Sequence, residues 1–192
     1  MSCFSLPQIL LAALILYLIC LPIFFRKKGL RKNLALAFLF LYSGFVFSLT
    51  VPVIPPKFWN ITSASTEWAV RSICWEPLHM APRLFRHAQA SGDWTEFLWQ
   101  TVGNFLLLVP FGILVSAISE NFRFWKSFVL SLLVPVGIES LQLVSNILYG
   151  SVIRTVDLED VVLNASGCLI ACLIVGGIRR LHRPRRRAKH YR

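Results

Sequence analysis

The chain has 192 residues, of which 56% are hydrophobic and 15% charged, with a mean hydropathy of +0.63. That balance excludes a disordered chain, and apolar residues gathered in blocks of about 20 argue against a soluble domain. The formal net charge of +11 is concentrated in RKKGLRK at 26–32 and RRLHRPRRRAKHYR at 179–192; both flank apolar blocks, which fits topology anchors on anionic lipid rather than nucleic-acid binding.

The first apolar block, at about 7–25, lacks a basic leading segment and meets RKKG where a cleavage site would stand, so it is read as a retained anchor. A second span covers about 34–54 and stops at Pro55-Pro56. The segment of about 55–96 holds Trp59, Trp68, Trp75 and Trp94, with Trp99 just beyond it. Tryptophan favours the headgroup level, and Ser65 to Trp75 is expected to form an interfacial helix with Trp68, Ser72 and Trp75 on one face. The third span, about 97–118, carries Gln100 and Asn104 on one face and Pro110-Phe111-Gly112 near its middle, where a kink is expected. The fourth, about 126–148, places Glu139 some ~20 Å beyond Lys126, with Gln142 on the same face and Pro135 and Gly137 just before it. The fifth covers about 158–178.

These elements predict an all-α, polytopic membrane bundle of about five transmembrane helices. The short basic loops share one side if the N-terminus is outside and the C-terminus cytoplasmic. Residues 1–35 then form an anchor and basic loop, 36–178 the main transmembrane domain, and 179–192 a basic cytoplasmic tail.

The few polar residues within the spans converge. At ~100° per residue, Asp157, Asp160, Asn164, Gly167 and Ala171 fit a stripe about 80° wide on the fifth span, while Glu159 and Val161 fall elsewhere and Glu159 is expected to face water or headgroups. The stripe is acidic at the mouth, then polar, then small, so it should pack on other helices. With Gln100 and Asn104, Glu139 and Gln142, and Arg154, it forms one polar cluster in the outer half of the bundle. Two readings stand: structural glue, with Arg154 neutralising Asp157 or Glu139, or a functional site, which the excess of carboxylates over arginine favours.

The five cysteines, Cys3, Cys20, Cys74, Cys168 and Cys172, show neither a disulfide framework nor metal spacing, and Cys74 is read as a lone thiol. His79, His87, His182 and His190 fall in loops or the tail and are read as solvated. A cation held by Glu139, Asp157 and Asp160 would have chemical sense but lacks a diagnostic spacing. No metal and no cofactor are expected, and catalytic residues are not identified.

At these residues the chain resembles the VanZ-like family of bacterial membrane proteins. The resemblance is carried by GNFLLLVPFG at 103–112, ESLQ at 139–142 and RTVDLEDVVLNASG at 154–167, in order and each on its own segment. Against the family pattern, Ala171 stands where a second glycine is frequent, and RSICWEPLH at 71–79 keeps only Pro77 of an element that precedes the third span. The resemblance implies a multi-pass protein of the bacterial plasma membrane, in a family named for an accessory protein of teicoplanin resistance. The functional expectation is a cell-envelope protein, more a binder than an enzyme. Its outer-leaflet pocket of Glu139, Gln142, Arg154, Asp157, Asp160, Asn164 and Asn104 would take a lipid-linked cell-wall precursor, a lipoglycopeptide or a partner helix. Pro110, Phe111, Gly112 and Gly167 would serve structure. The alternatives are a membrane-embedded enzyme acting on a lipid-linked cell-wall intermediate and a small transporter subunit; the lipid bilayer is a partner in every case, and an oligomer is compatible with each.

Overall fold

The protein is described by a computed structural model covering residues 6–20, 29–52, 56–119 and 124–182. The described residues fold into α1 (Leu6–Cys20), α2 (Leu30–Thr50), α3 (Ser63–Arg71), α4 (Met80–Ser91), α5 (Thr95–Ile118), α6 (Phe124–Tyr149) and α7 (Leu158–His182). Four of them, α2, α5, α6 and α7 up to Leu181, are long and apolar enough to cross a membrane. The described part of the first expected span is a shorter apolar helix of 15 residues; its continuation to residue 25, the basic stretch 26–28 and the tail beyond His182 lie outside the described residues.

Helix α6 shows why this is a membrane-type bundle. Its buried residues are Ser127, Ser131, Pro135, Glu139, Gln142, Ser145 and Asn146, a stripe of polar and small side chains at helical spacing. Val129, Leu132, Leu133, Val136, Leu141 and Val144 are exposed. In water that arrangement would be inverted; in lipid, apolar side chains face outward for free and polar groups must find partners inside. Pro135 lies inside the helix without ending it.

Helix α5 is irregular in two places, and the second lies beside the Pro110 kink that the sequence predicts. A π-helical turn occupies Leu98–Val102, and the helix breaks at Leu108, whose φ and ψ are −102° and 5°. Pro110 sits in the first turn of the following segment, Val109–Ile118, where its missing N–H is harmless. The Tyr42 hydroxyl donates to Leu107 O at 2.7 Å, which supplies a partner beside the break.

Helix α7 packs along both α5 and α6, α2 lies against α5, and α1 pairs with α2. The core joins Val46, Leu108, Cys168 and Cys172. Backbones approach so closely that a Cβ on Gly112 would come within 2.6 Å of Cys168 O, and one on Gly167 would run into Phe105 O. Both glycines of the expected structural motif are thus points of contact between α5 and α7, and the small Ala171 is buried in the same seam.

The segment between α2 and α5 departs from expectation. Its first helix is α3, opened by a capping box of Thr62 and Ser65 and ended at Arg71. Ser72 is the C-cap and Trp75 lies beyond the helix, so Trp68, Ser72 and Trp75 do not share a helical face. A second helix, α4, was not anticipated; it buries Leu84 and Ala88, and Phe85 joins Trp94 and Phe97 in an edge-to-face cluster.

Candidate functional site

The site is built where α7 begins. Asp157 Oδ1 accepts from Glu159 N at 2.8 Å and so caps the first turn of α7. Glu139 Oε2, from α6, accepts from Asp157 N at 3.0 Å. The two acids are therefore linked through backbone, and both are buried. One turn on, Asp160 Oδ1 accepts from Asn104 Nδ2, which ties α7 to α5. Asn164 donates to Asp160 O at 2.8 Å within α7, while its buried Oδ1 has no partner among the described residues.

The loop between α6 and α7 is held by Asn146, which is fully buried. Its Nδ2 donates to Arg154 O at 2.7 Å, and its Oδ1 accepts from Ile153 N at 2.9 Å and Arg154 N at 3.3 Å. Burying this amide is tolerable because each of its polar atoms replaces water with a loop backbone group. Sequence reading missed Asn146; its position four residues after Gln142 on the polar stripe was the available signal. Gln142 itself donates to Thr50 O at 3.0 Å and closes α6 onto α2.

Arg154 is exposed and donates from Nη2 to Leu49 O at 3.1 Å. Among the described residues no ion pair joins it to Asp157 or Glu139, so the expected neutralisation is corrected: those acids are served by backbone N–H groups instead.

Glu159 corrects the helical-wheel reading. It is buried rather than facing water or headgroups, with 3% of its surface exposed. Its Oε2 accepts from Met80 N at 2.6 Å and its Oε1 from Ala81 N at 2.7 Å. A carboxylate thus meets the two leading N–H groups of α4, where orphan donors and the helix dipole favour negative charge. The sequence hides this because the partner helix is 78 and 79 residues away.

The same capping brings in His79. Its Nδ1 lies 3.4 Å from Glu159 Oε2 and 3.2 Å from Glu76 O, and its ring nitrogens are 3.5 and 3.6 Å from Cys74 Sγ. His79 is therefore not a solvated loop histidine, nor is Cys74 an isolated thiol. Residue 74 is further pinned by backbone pairing: Cys74 N donates to Val156 O at 2.9 Å and Leu158 N to Cys74 O at 3.0 Å.

These elements surround a cavity of about 760 Å³. Of the residues expected in the polar cluster, Gln100, Asn104, Gln142, Arg154, Asp157 and Asp160 line it; Cys74, His79, Met80 and Glu159 also line it. Glu139 and Asn164 are not part of its lining. They act on it through Asp157 N and Asp160 O. Pro110, Phe111, Gly112 and Gly167 stay with the packing of α5 against α7, away from the lining. The volume falls within the range of small-molecule pockets, and the wall mixes hydrogen-bonding groups of both signs with apolar Leu49, Leu107, Ile153 and Leu163. Such a wall can hold a ligand that carries a polar head and an apolar body.

Comparison with known proteins places the chain in a family. The model of the family described as VanZ/LLP1 covers residues 40–179, which contain every residue of the cavity wall. No curated protein and no solved structure matches the chain.

Proposed function

Because the chain belongs to the VanZ-like family, we propose that it is a multi-pass protein of the bacterial plasma membrane whose cavity binds the headgroup of a lipid-linked cell-envelope ligand. In this reading the N-terminus is outside and the cavity opens at the outer leaflet. The reading is supported most by one observation: six separate segments, from α2, the α2–α5 connection, α5, α6, the α6–α7 loop and the start of α7, bring polar groups to one void within the bundle. Glue alone would close such groups on one another; here they bound about 760 Å³. Arg154 uses one of five guanidinium N–H donors on Leu49 O, which leaves the others for an anionic head. Asn104 and Asp160, bonded to each other, form the inner wall, and Leu107 and Leu163 offer contact to an acyl or prenyl chain.

The assignment of roles follows. Arg154, Asn104, Gln142 and Asp160 would meet the ligand. Glu139, Asp157 and Asn164 would position α7 and its first turn. The test is native mass spectrometry of the protein extracted with its lipids and then exposed to undecaprenyl pyrophosphate or phosphatidylglycerol. Wild type should retain a headgroup-bearing lipid, and Arg154→Ala with Asp160→Ala should lose it while Glu67→Ala, at an exposed position of α3, does not. Equal retention by all three proteins would overturn the reading. Chemical change of the retained lipid, abolished by Glu139→Gln, would transfer the assignment to the enzyme alternative. In cells, the link to glycopeptide susceptibility predicts that deletion shifts the inhibitory concentration of teicoplanin and that Arg154→Ala reproduces the shift.

A further inference from the structure

One group of side chains on the cavity wall has donor chemistry that headgroup binding does not use. Cys74, His79 and Asp157 present a thiol sulfur, an imidazole nitrogen and a carboxylate oxygen that all lie within 4.8 Å of one another. We propose that these three residues form a binding site for a divalent cation of the zinc type at the cavity wall, with a fourth coordination position open to the cavity.

Three features of the geometry carry this. First, the three donors are close enough for one cation to bridge them. Cys74 Sγ lies over the His79 ring, 3.6 Å from Nε2 and 3.5 Å from Nδ1. Zinc holds a sulfur and a nitrogen ligand about 3.5 Å apart, so a tilt of the ring that points Nε2 at the cation suffices.

Second, the histidine has the outer partners that a metal-bound imidazole requires. With Nδ1 held by Glu76 O at 3.2 Å and facing Glu159 Oε2 at 3.4 Å, the nitrogen left for a cation is Nε2. Glu159 is itself fixed by the two N–H groups of α4.

Third, the donors stand on braced backbone. Cys74 and Asp157 face each other across the pairing of Cys74 with Val156 and Leu158, and Asp157 Oδ1 is occupied by Glu159 N, which leaves Oδ2 to coordinate. Leu78, at a φ of 59°, turns the chain so that His79 enters the group from the head of α4. Thiolate and imidazole select zinc over magnesium or calcium, which prefer all-oxygen sites. Three protein ligands beside a cavity match the open form of zinc site rather than the closed structural one.

The test uses the full chain, free of any affinity tag, stripped with chelator in detergent and dialysed against zinc or cobalt(II). Elemental analysis should find about one zinc per chain, and the cobalt form should show thiolate-to-metal charge-transfer absorption. Cys74→Ser should remove that absorption, and His79→Gln should weaken zinc binding about tenfold or more. Cys20→Ser and a His182→Gln, His190→Gln double variant should change neither. Circular dichroism of each metal-free variant separates lost metal from lost fold. Wild type that takes up no zinc would overturn the proposal, as would a Cys74→Ser variant with unchanged cobalt absorption. Lipid retention is a separate readout, so this proposal and the headgroup reading fail independently.

Discussion

Two arginines at opposite ends of the bundle meet different surroundings. Arg179, near the end of α7, donates to the carbonyls of Ser116, Ala117 and Ser119 and so closes the C-terminus of α5. Arg154, just before α7, gives one hydrogen bond to Leu49 O and otherwise borders the cavity. Between them α5 and α7 touch backbone to backbone at Gly112 and Gly167, and towards Arg154 the pair is tied by Asn104 and Asp160, which also border the cavity. Polar side chains in a membrane bundle thus do two jobs. Where partners saturate them they fasten helices, and where they leave volume they line a cavity. Charge alone does not distinguish the two cases; the unfilled space does.

The strongest way to break this comparison is to force the tight seam apart. Gly167→Val places branched carbons against Phe105 O, and overpacking there should cost about 3 kcal/mol. A fall in membrane abundance and in the melting temperature of the solubilised protein is expected, and wild-type values would show that α5 and α7 do not approach as described.

The two arginines give the next test. Arg179→Ala leaves three helix-terminal carbonyls without their charged donor, and a loss of about 2 kcal/mol is expected by thermal unfolding. Arg154→Ala should leave stability within about 0.5 kcal/mol of wild type, since the side chain is exposed, yet abolish retention of lipid. The reverse pattern would exchange the roles of the two ends.

Glu159→Ala sharpens the cavity end with a local effect. It deprives Met80 N and Ala81 N of their acceptor, so hydrogen exchange across 80–91 should accelerate by a factor of about 10, or ~1.4 kcal/mol, while α6 and the lower part of α7 keep their protection. Glu159→Gln retains an acceptor oxygen and should recover part of that protection. If exchange in α4 is unchanged by either substitution, the carboxylate does not anchor this helix to the bundle.

Much of the fold was legible because a bilayer imposes strong rules on sequence. Apolar runs of span length located α2, α5, α6 and α7, and Pro110 marked the irregular region of α5. The stripe of Asp160, Asn164 and Gly167 was readable from helical spacing alone, since those residues share one helix that Asp157 caps, and all four turn inward or towards the cavity. The residues that carried the family resemblance lie within the matched region. Loop residues were less legible. Glu159 lay off the stripe, and only the docking of α4 over the start of α7 makes it a buried cap. Cys74 and His79 looked ordinary because nothing local says that residues 74 and 157 share paired backbone.

By itself, then, the sequence determined what each helix must hide, because an unpaired polar group is costly in hydrocarbon and spacing along a helix fixes which side chains travel together. Tertiary structure decided what those hidden groups meet. Whether an acid caps a helix, holds a backbone N–H or borders a void depends on segments that approach from 18 to 79 residues away, and no periodicity records that distance.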